Sequence, residues 1–234
     1  MRRNSAWACE LKGINVVHYR ENQKYRLTFS CDFHKTFGLL SKDYPLLSDE
    51  EIRHEYTILE KSRKDPQAFG ELYEKYFDKI FNFIYRQTDD EELTADLCSQ
   101  TFLNALNNVN RFEFRGVPVS AWLYRIAANE VNKHYRKQKA TRVFSIEEIR
   151  VKELVEIGSD GPDEELVQRM ISYLKELPTE MLEVLELRFF EDKDFKEIAY
   201  ILNITESGAK MRTYRALDRL RKNFKLSIKY DGKK

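Results

Sequence analysis

Cationic side chains gather in two short runs. Residues 131–146 carry Lys133, Arg136, Lys137, Lys139 and Arg142 and no carboxylate, and residues 207–225 carry seven basic residues against Asp218 alone. Between them, residues 147–165 reverse the sign, with eight acids against Arg150 and Lys152. The net charge of +1 conceals this, because blocks of opposite sign cancel in the sum while each keeps its own local field. Any one block could be the solvated face of a helix. Two basic blocks, each closing a helical pattern, favour a polyanion as partner.

The second basic run follows the most informative string in the chain, Asp194-Phe195-Lys196-Glu197-Ile198-Ala199-Tyr200-Ile201-Leu202-Asn203-Ile204-Thr205. Asp194 and Glu197 have the spacing at which each side chain caps the other's backbone amide, so a helix is predicted to start there. Ile198, Ala199 and Leu202 give it an apolar face, and the small Ala199 lets another helix come close. Asn203 stands where a left-handed turn residue is wanted, Ile204 plugs the corner, and Thr205 can cap the following helix. Helix, short turn and basic helix make the arrangement that lays a recognition helix in a DNA major groove. Lys210, Arg212 and Arg215 fall on or near its exposed side, with Ala209, Ala216, Leu217 and Leu220 turned inward. Glu206, Ser207, Lys210 and Met211 occupy its leading turns, where side chains reach base edges; basic residues further along meet phosphates.

These groups need elements to position them. Helical order is expected from Asp65-Pro66, a capping carboxylate followed by a residue suited to the first turn. Phe69, Leu72, Tyr73, Tyr76, Ile80, Phe83 and Ile84 then recur at three and four residues, one apolar stripe. Asp89, Asp90, Glu91 and Glu92 suit the start of a second helix, whose stripe is Leu93, Leu97, Thr101, Phe102, Ala105 and Leu106. A third starts near Ser120, with Leu123, Ile126, Ala127, Val131 and Tyr135 inward and Arg125, Asn129, Asn132, Lys133 and Arg136 outward. Further helices are predicted at 163–176, 179–190, 194–202 and 205–224. Helix breakers at 158–162 close the acidic stretch as a linker. The fold class expected is all-α, two small helical domains joined by an acidic flexible linker, the second with the helix-turn-helix. Its bounds are an N-terminal extension at 1–55, domains at 56–140 and 163–227, a linker at 141–162 and a basic tail at 228–234.

Composition narrows the function classes. Eight glycines and five prolines in 234 residues agree with long helices. No apolar stretch approaches the roughly 20 residues of a membrane span. The N-terminus shows no secretory core, so a cytoplasmic setting without membrane insertion is expected. Cys9, Cys31 and Cys98 are too few and too scattered for a disulfide framework. Cys31 and His34 have a metal-like spacing, but zinc sites show two tight ligand pairs, and no metal or cofactor is expected. With no glycine-rich phosphate loop, serine elbow or Cys/His constellation, neither is an enzyme.

Over residues 60–225 the sequence resembles the extracytoplasmic-function sigma factors of the sigma-70 family. Leu177-Pro178, Glu197-Ile198-Ala199, Gly208-Ala209-Lys210-Met211-Arg212, Arg215-Ala216 and Leu220-Arg221 are similar to region 4, which in the family reads the −35 promoter element. Ala68-Phe69 with Leu72 and Tyr76, Ala95-Asp96-Leu97 through Phe102, and Trp122-Leu123 with Ile126-Ala127 and Asn129 resemble region 2. The resemblance implies a subunit that gives RNA polymerase its promoter specificity. Its implied partners are core RNA polymerase, promoter DNA and an anti-sigma factor.

Residue roles follow from the same resemblance. Glu206, Ser207, Lys210, Met211, Arg212 and Arg215 would contact −35 DNA. Asp96 lies on the helix that docks onto a coiled coil of the largest polymerase subunit. The family's Gln three residues after this Asp is Ser99 here, with Gln100 one position on, so the polar contact to polymerase differs. Residues 111–119 match the loop that captures an unpaired base of the −10 element. Arg111, Phe112, Phe114 and Arg115 offer the rings and charge that hold single-stranded DNA, with Trp122, Arg125, Asn129, Lys133 and Arg136 nearby. Trp122 and Phe112 can equally be core. A regulator whose helix-turn-helix binds DNA without core polymerase is the other reading. It needs a sensor or receiver in the first domain, and no phosphoacceptor or ligand-pocket pattern is present. A purely protein-binding adaptor leaves the two basic runs unexplained.

Overall fold

The computed structural model describes residues 8–11, 14–17, 20–21, 24–25, 48–114, 116–138 and 164–231. The chain divides into an N-terminal unit, Met1–Pro45, and a main unit, Leu46–Lys234. The first holds two short antiparallel hairpins, β1 (Ala8–Leu11) with β2 (Ile14–Val17) and β3 (Arg20–Glu21) with β4 (Lys24–Tyr25). Ala8 faces Val17, and Arg20 faces Tyr25. The sequence showed no element in this extension, since strands of two to four residues are too short for an alternating pattern to register. The described part of the main unit is all-α. The linker at 141–162 lies outside the described residues, as do Cys31 and His34.

Helix α1 (Asp49–Ser62) precedes the point where helical order was expected and crosses the bound set between residues 55 and 56. Ser48 and Glu51 cap it reciprocally. The Glu51 amide donates to Ser48 Oγ at 3.2 Å and the Ser48 amide to Glu51 Oε2 at 2.8 Å. These bonds hold the Glu51 carboxyl below its ordinary range. The capping signal is in the sequence, but Glu55 interrupts the apolar stripe behind it. Glu55 is buried; its Oε1 accepts from the Tyr76 hydroxyl and from Lys75 Nζ, the latter at 2.7 Å, while its Oε2 accepts no hydrogen bond among the described residues.

A 3-10 turn, Pro66–Phe69, capped by the Asp65 carboxylate, leads into α2 (Gly70–Thr88). The helix buries Leu72, Tyr76, Ile80, Phe83 and Ile84, as its stripe implied, while Tyr73 of the same stripe is exposed. Asp89 adopts the left-handed conformation at φ 52°, and the Asp90 carboxylate accepts from the Leu93 amide at 3.0 Å to open α3 (Glu91–Asn108). Two adjacent aspartates therefore end one helix and begin the next. Helix α4 (Val119–Gln138) packs against both α2 and α3.

The second helical set comprises α5 (Glu164–Lys175), α6 (Thr179–Leu185), α7 (Phe195–Leu202) and α8 (Glu206–Asp231). Helix α6 widens at its end into a π turn over Glu186–Phe190, a geometry common near functional or strained contacts. The caps of α7 are those its sequence specified. The Glu197 amide donates to Asp194 Oδ1 at 2.7 Å, and the Asp194 amide to Glu197 Oε2 at 3.0 Å. Asn203 is left-handed at φ 55°, and the Gly208 amide donates to Thr205 Oγ1 at 3.0 Å. A Cβ on Gly208 would lie 3.0 Å from that hydroxyl, so the smallest residue suits the first turn of α8.

Two helical sets were expected and two are present, but they share one core. Helix α7 packs on α4, and Val184, Leu187, Ile198, Ile201 and Ala209 join the same buried cluster as Ile80, Ile84 and Leu123. Ile198 is fully enclosed and Ile201 nearly so. Each such burial is worth about 1.5–3 kcal/mol, enough to hold α7 against α4.

Candidate nucleic-acid interface

The first turns of α8 form an open cationic face. Glu206, Ser207, Lys210, Met211 and Arg215 are exposed and Arg212 is half-buried, while Ala209, Thr213, Ala216, Leu217 and Leu220 turn into the core. Lys210 Nζ pairs with Glu206 Oε1 at 2.6 Å and lies 5.8 Å from the centre of the Phe195 ring. The hydrogen bond to Glu206 raises the Lys210 ammonium above its usual pKa, so it stays charged. An exposed i,i+4 pair of this kind contributes a few tenths of a kcal/mol, and a ligand can displace it.

The loop before α4 and the helix itself are arranged differently. Phe112 is buried and packs on Trp122, also buried, with ring centres 4.8 Å apart. Both residues sit in the core, one of the two roles their sequence left open. Phe114 presents half its surface to solvent, and Arg111 is exposed. Arg115 lies outside the described residues. Gly116 takes φ 67°, the left-handed region that favours glycine, at the turn into α4. Along α4, Asn129, Lys133 and Arg136 are exposed, with Lys133 Nζ 3.4 Å from Glu130.

Arg125 has protein partners. Its Nη1 donates to the Tyr200 carbonyl at 3.1 Å, its Nη2 to Asn203 Oδ1 at 3.3 Å, and the guanidinium lies 5.0 Å from the Tyr200 ring centre. Lys196 Nζ donates to the Gly116 carbonyl at 2.6 Å, and Lys193 Nζ to Ser120 Oγ at 3.4 Å. Helix α7 and its flanking turns therefore cover the start of α4 and the end of the loop.

Behind these contacts is a buried ionic cluster. Arg86 Nε donates to Glu186 Oε1 at 3.2 Å, and the same guanidinium pairs with Glu191, whose carboxylate also accepts from the Tyr124 hydroxyl. Arg86, Glu186 and Tyr124 are buried, and the Glu191 side chain is 8% exposed. Burial drives the Lys193 ammonium below its ordinary pKa and the Glu197 carboxyl above its own. Sequence reasoning missed Arg86, Glu186 and Glu191. The available signal was an arginine three residues after Phe83, in the frame of the buried stripe, but its partners stand about a hundred positions away.

On α3, Asp96, Ser99 and Gln100 are all exposed, and Gln100 Nε2 donates to Asn104 Oδ1 at 3.1 Å. Leu103, half exposed, continues the same face one turn on. Among the described residues no group of three His, Cys, Asp or Glu side chains is placed to hold a metal, and no helix is long and apolar enough to cross a membrane.

Residues 72–141 match sigma-70 region 2, and residues 173–222 match sigma-70 region 4, together half of the chain. The chain is 30% identical over 166 residues to the RNA polymerase sigma factor YlaC of Bacillus subtilis, covering 68% of this chain and 94% of YlaC. It is 28% identical over 154 residues to the ECF RNA polymerase sigma factor SigM of the same organism, covering 66% and 93%. This chain belongs to the extracytoplasmic-function sigma factors of the sigma-70 family. As such it directs promoter recognition and transcription initiation. Among solved structures, CnrH in complex with the cytosolic domain of CnrY aligns with a TM-score of 0.51 at 20% identity, over 77% of this chain and 99% of that one. That likeness concerns the fold alone.

Proposed function

We propose that this sigma factor, bound to core RNA polymerase, reads the −35 element through a helix-turn-helix formed by α7 and α8 and holds the melted −10 element with the 111–119 loop and α4. The observation that carries the reading is the open cationic start of α8, set on a turn fixed by Asp194, Asn203 and Thr205. Lys210 and Met211 lie where base edges are read, with Glu206 and Ser207, while Arg212 and Arg215 follow at phosphate positions. On the first helical set, Arg111, Arg115, Lys133 and Arg136 supply the cationic track that single-stranded DNA follows, with Asn129 as a neutral hydrogen-bonding group on the same helix as Lys133 and Arg136. Phe112 and Trp122 support the loop from the core. Arg125 joins the track only when it exchanges Tyr200 and Asn203 for DNA, so α7 leaves α4 in the promoter complex. Asp96, Ser99 and Gln100 form the polymerase-docking face.

The boundaries proposed are 56–140 for the −10 domain and 163–227 for the −35 domain. An anti-sigma factor is proposed as a regulatory partner, supported by the family membership and by CnrH having been solved with the cytosolic domain of CnrY. The test is transcription in vitro from fragments of the source genome with core polymerase, with and without this chain. Start sites that appear only when both are present, and that share −10 and −35 sequences, are the expected result. No chain-dependent start sites would overturn the reading.

A further inference from the structure

The seam between the two helical sets is lined with charge. Of the four charged residues buried among the described ones, Glu55, Arg86, Glu186 and Glu197, the last three lie at this seam. Arg86 of α2 holds Glu186 and Glu191, and Tyr124 of α4 donates to Glu191. A second group adjoins the first. Lys193, its side chain 13% exposed, reaches Ser120 Oγ at 3.4 Å, lies 4.6 Å from the centre of the Tyr124 ring and stands 3.8 Å from Glu197 Oε1. At the rim, Lys196 bonds the Gly116 carbonyl and Tyr200 takes the Arg125 guanidinium on its ring. Inside the first set, by contrast, the three long helices bury apolar side chains such as Ile80, Leu97 and Leu123.

Charges at a contact change what its burial is worth. Ions taken out of water lose hydration, and their mutual attraction returns little more than that loss, so a complete buried group adds little net cohesion. An apolar seam of the same size would resist opening. This one gives Arg86, Glu186, Glu191, Lys193 and Glu197 back to water as it parts, which offsets the exposure of Leu187, Ile198 and Ile201. We propose that the seam is a release device: the free chain rests closed, with α7 over the start of α4, and the buried ions keep the closed form weak enough for core polymerase and promoter DNA to open it. The proposal rests on the reading above that α4 meets DNA. While the seam is closed, Arg125 serves Tyr200 and Asn203 rather than a polyanion. The apparent affinity for a promoter then falls with the fraction of chain that is open.

The experiment compares two full-chain variants with the parent. The first replaces the ions by apolar side chains of similar length, Arg86→Met, Glu186→Met and Glu191→Met, with Tyr124→Phe so that no hydroxyl loses its acceptor. The second, Lys196→Ala with Tyr200→Ala, removes the bond to Gly116 and the ring beneath Arg125 and leaves the ions in place. In the chain alone, hydrogen exchange at the start of α4 and along α7 should slow in the first variant and quicken in the second. The functional readout is the chain concentration that half-saturates a labelled promoter, found by in vitro transcription, at a fixed amount of core polymerase. It should rise on the order of tenfold in the first variant, where closure is tighter, and fall in the second. A purely structural seam would shift exchange and leave this concentration where it was in both variants, which would overturn the proposal. Unchanged exchange in both would overturn it too. If the apolar variant does not fold, the second decides alone: faster exchange with no gain in promoter binding contradicts a release device. A parent chain that, with core polymerase, binds the promoter no better than a scrambled fragment would instead overturn the reading on which the proposal rests.

Discussion

The leading turns of α8 and the outer face of α4 carry similar side chains in opposite circumstances. On α8, Lys210, Met211 and Arg215 face solvent, and Lys210 pairs locally with Glu206. On α4, Arg125 is bonded to Tyr200 and Asn203, and the adjoining loop is tied to Lys196. One face is open to solvent as it stands. The other is roofed by α7. The difference shows that a polar stripe on a helix says which residues leave their own core, and nothing about what then covers them.

The largest effect is expected where the two helical sets share a core. Ile198 is fully buried between them, and Ile198→Asp places an unpaired carboxylate there, at a cost of about 4 kcal/mol or more. Hydrogen exchange should then accelerate in α4 as well as α7. Protection of α4 unchanged from the parent would mean that the first set does not depend on this contact, and the comparison would fail.

Arg86→Ala tests the ionic cluster beneath the roof. It leaves Glu186 and Glu191 buried without their cation, which costs about 3–5 kcal/mol when a buried pair is broken on one side. Chemical denaturation should move to lower denaturant, with faster exchange at the start of α4. An unchanged midpoint would remove the cluster from the account of how α4 is covered.

The open face sharpens the comparison through sequence preference. Lys210→Ala is expected to change which −35 variants holoenzyme accepts, by about 1–3 kcal/mol for a base contact. Arg219→Ala, further along α8 and exposed, should weaken all variants alike and flatten the salt dependence, since each phosphate neutralised releases counterion. Binding to a panel of −35 sequences at two salt concentrations separates the two. Equal losses on every sequence for both variants would assign Lys210 to the phosphates.

The smallest effect is an alkaline one. Cys98 is fully buried and its thiol is pushed up by burial from 9.0 to about 11, and burial raises the Tyr76 and Tyr124 hydroxyls too. The folded chain therefore keeps protons that the unfolded chain has lost. Stability from these groups is complete below pH 9.0 and declines as pH rises through about 11. Lys193 acts in the opposite sense, because burial lowers its pKa and the folded chain sheds that proton first. Cys98→Ala should therefore make the unfolding midpoint less sensitive to pH between 9 and 11. A pH dependence over this range left unchanged by Cys98→Ala would contradict the assignment.

Much of the scaffold was legible because its signals are local. Asp65-Pro66, Asp90, the Asp194–Glu197 box, Asn203 and Thr205 all act within four residues of themselves, and each does what its type and spacing implied, whereas Asp89, expected at the start of α3, ends α2. Helix α1 was missed although Ser48 and Glu51 announce it, because a buried glutamate sits where the stripe needs an apolar residue. The partners of that glutamate, Tyr76 and Lys75 on its Oε1, stand about twenty residues later, where no local pattern points to them. Phe112 and Trp122 show the same limit from the other side. Their types suit a base platform and a core equally, and only packing against Tyr56 and each other assigns them. The cover over Arg125 depends on which surfaces meet across 75 residues, and no local pattern encodes that.

The central claim is that this chain finds promoters as part of a polymerase rather than alone. Fluorescence anisotropy of a labelled promoter fragment, titrated with the chain, with core polymerase and with the two together, tests it most directly. The expected result is tight binding, lost when −10 or −35 is scrambled, only when chain and core are both present. Equally tight and specific binding by the chain alone, unchanged by core polymerase, would contradict it.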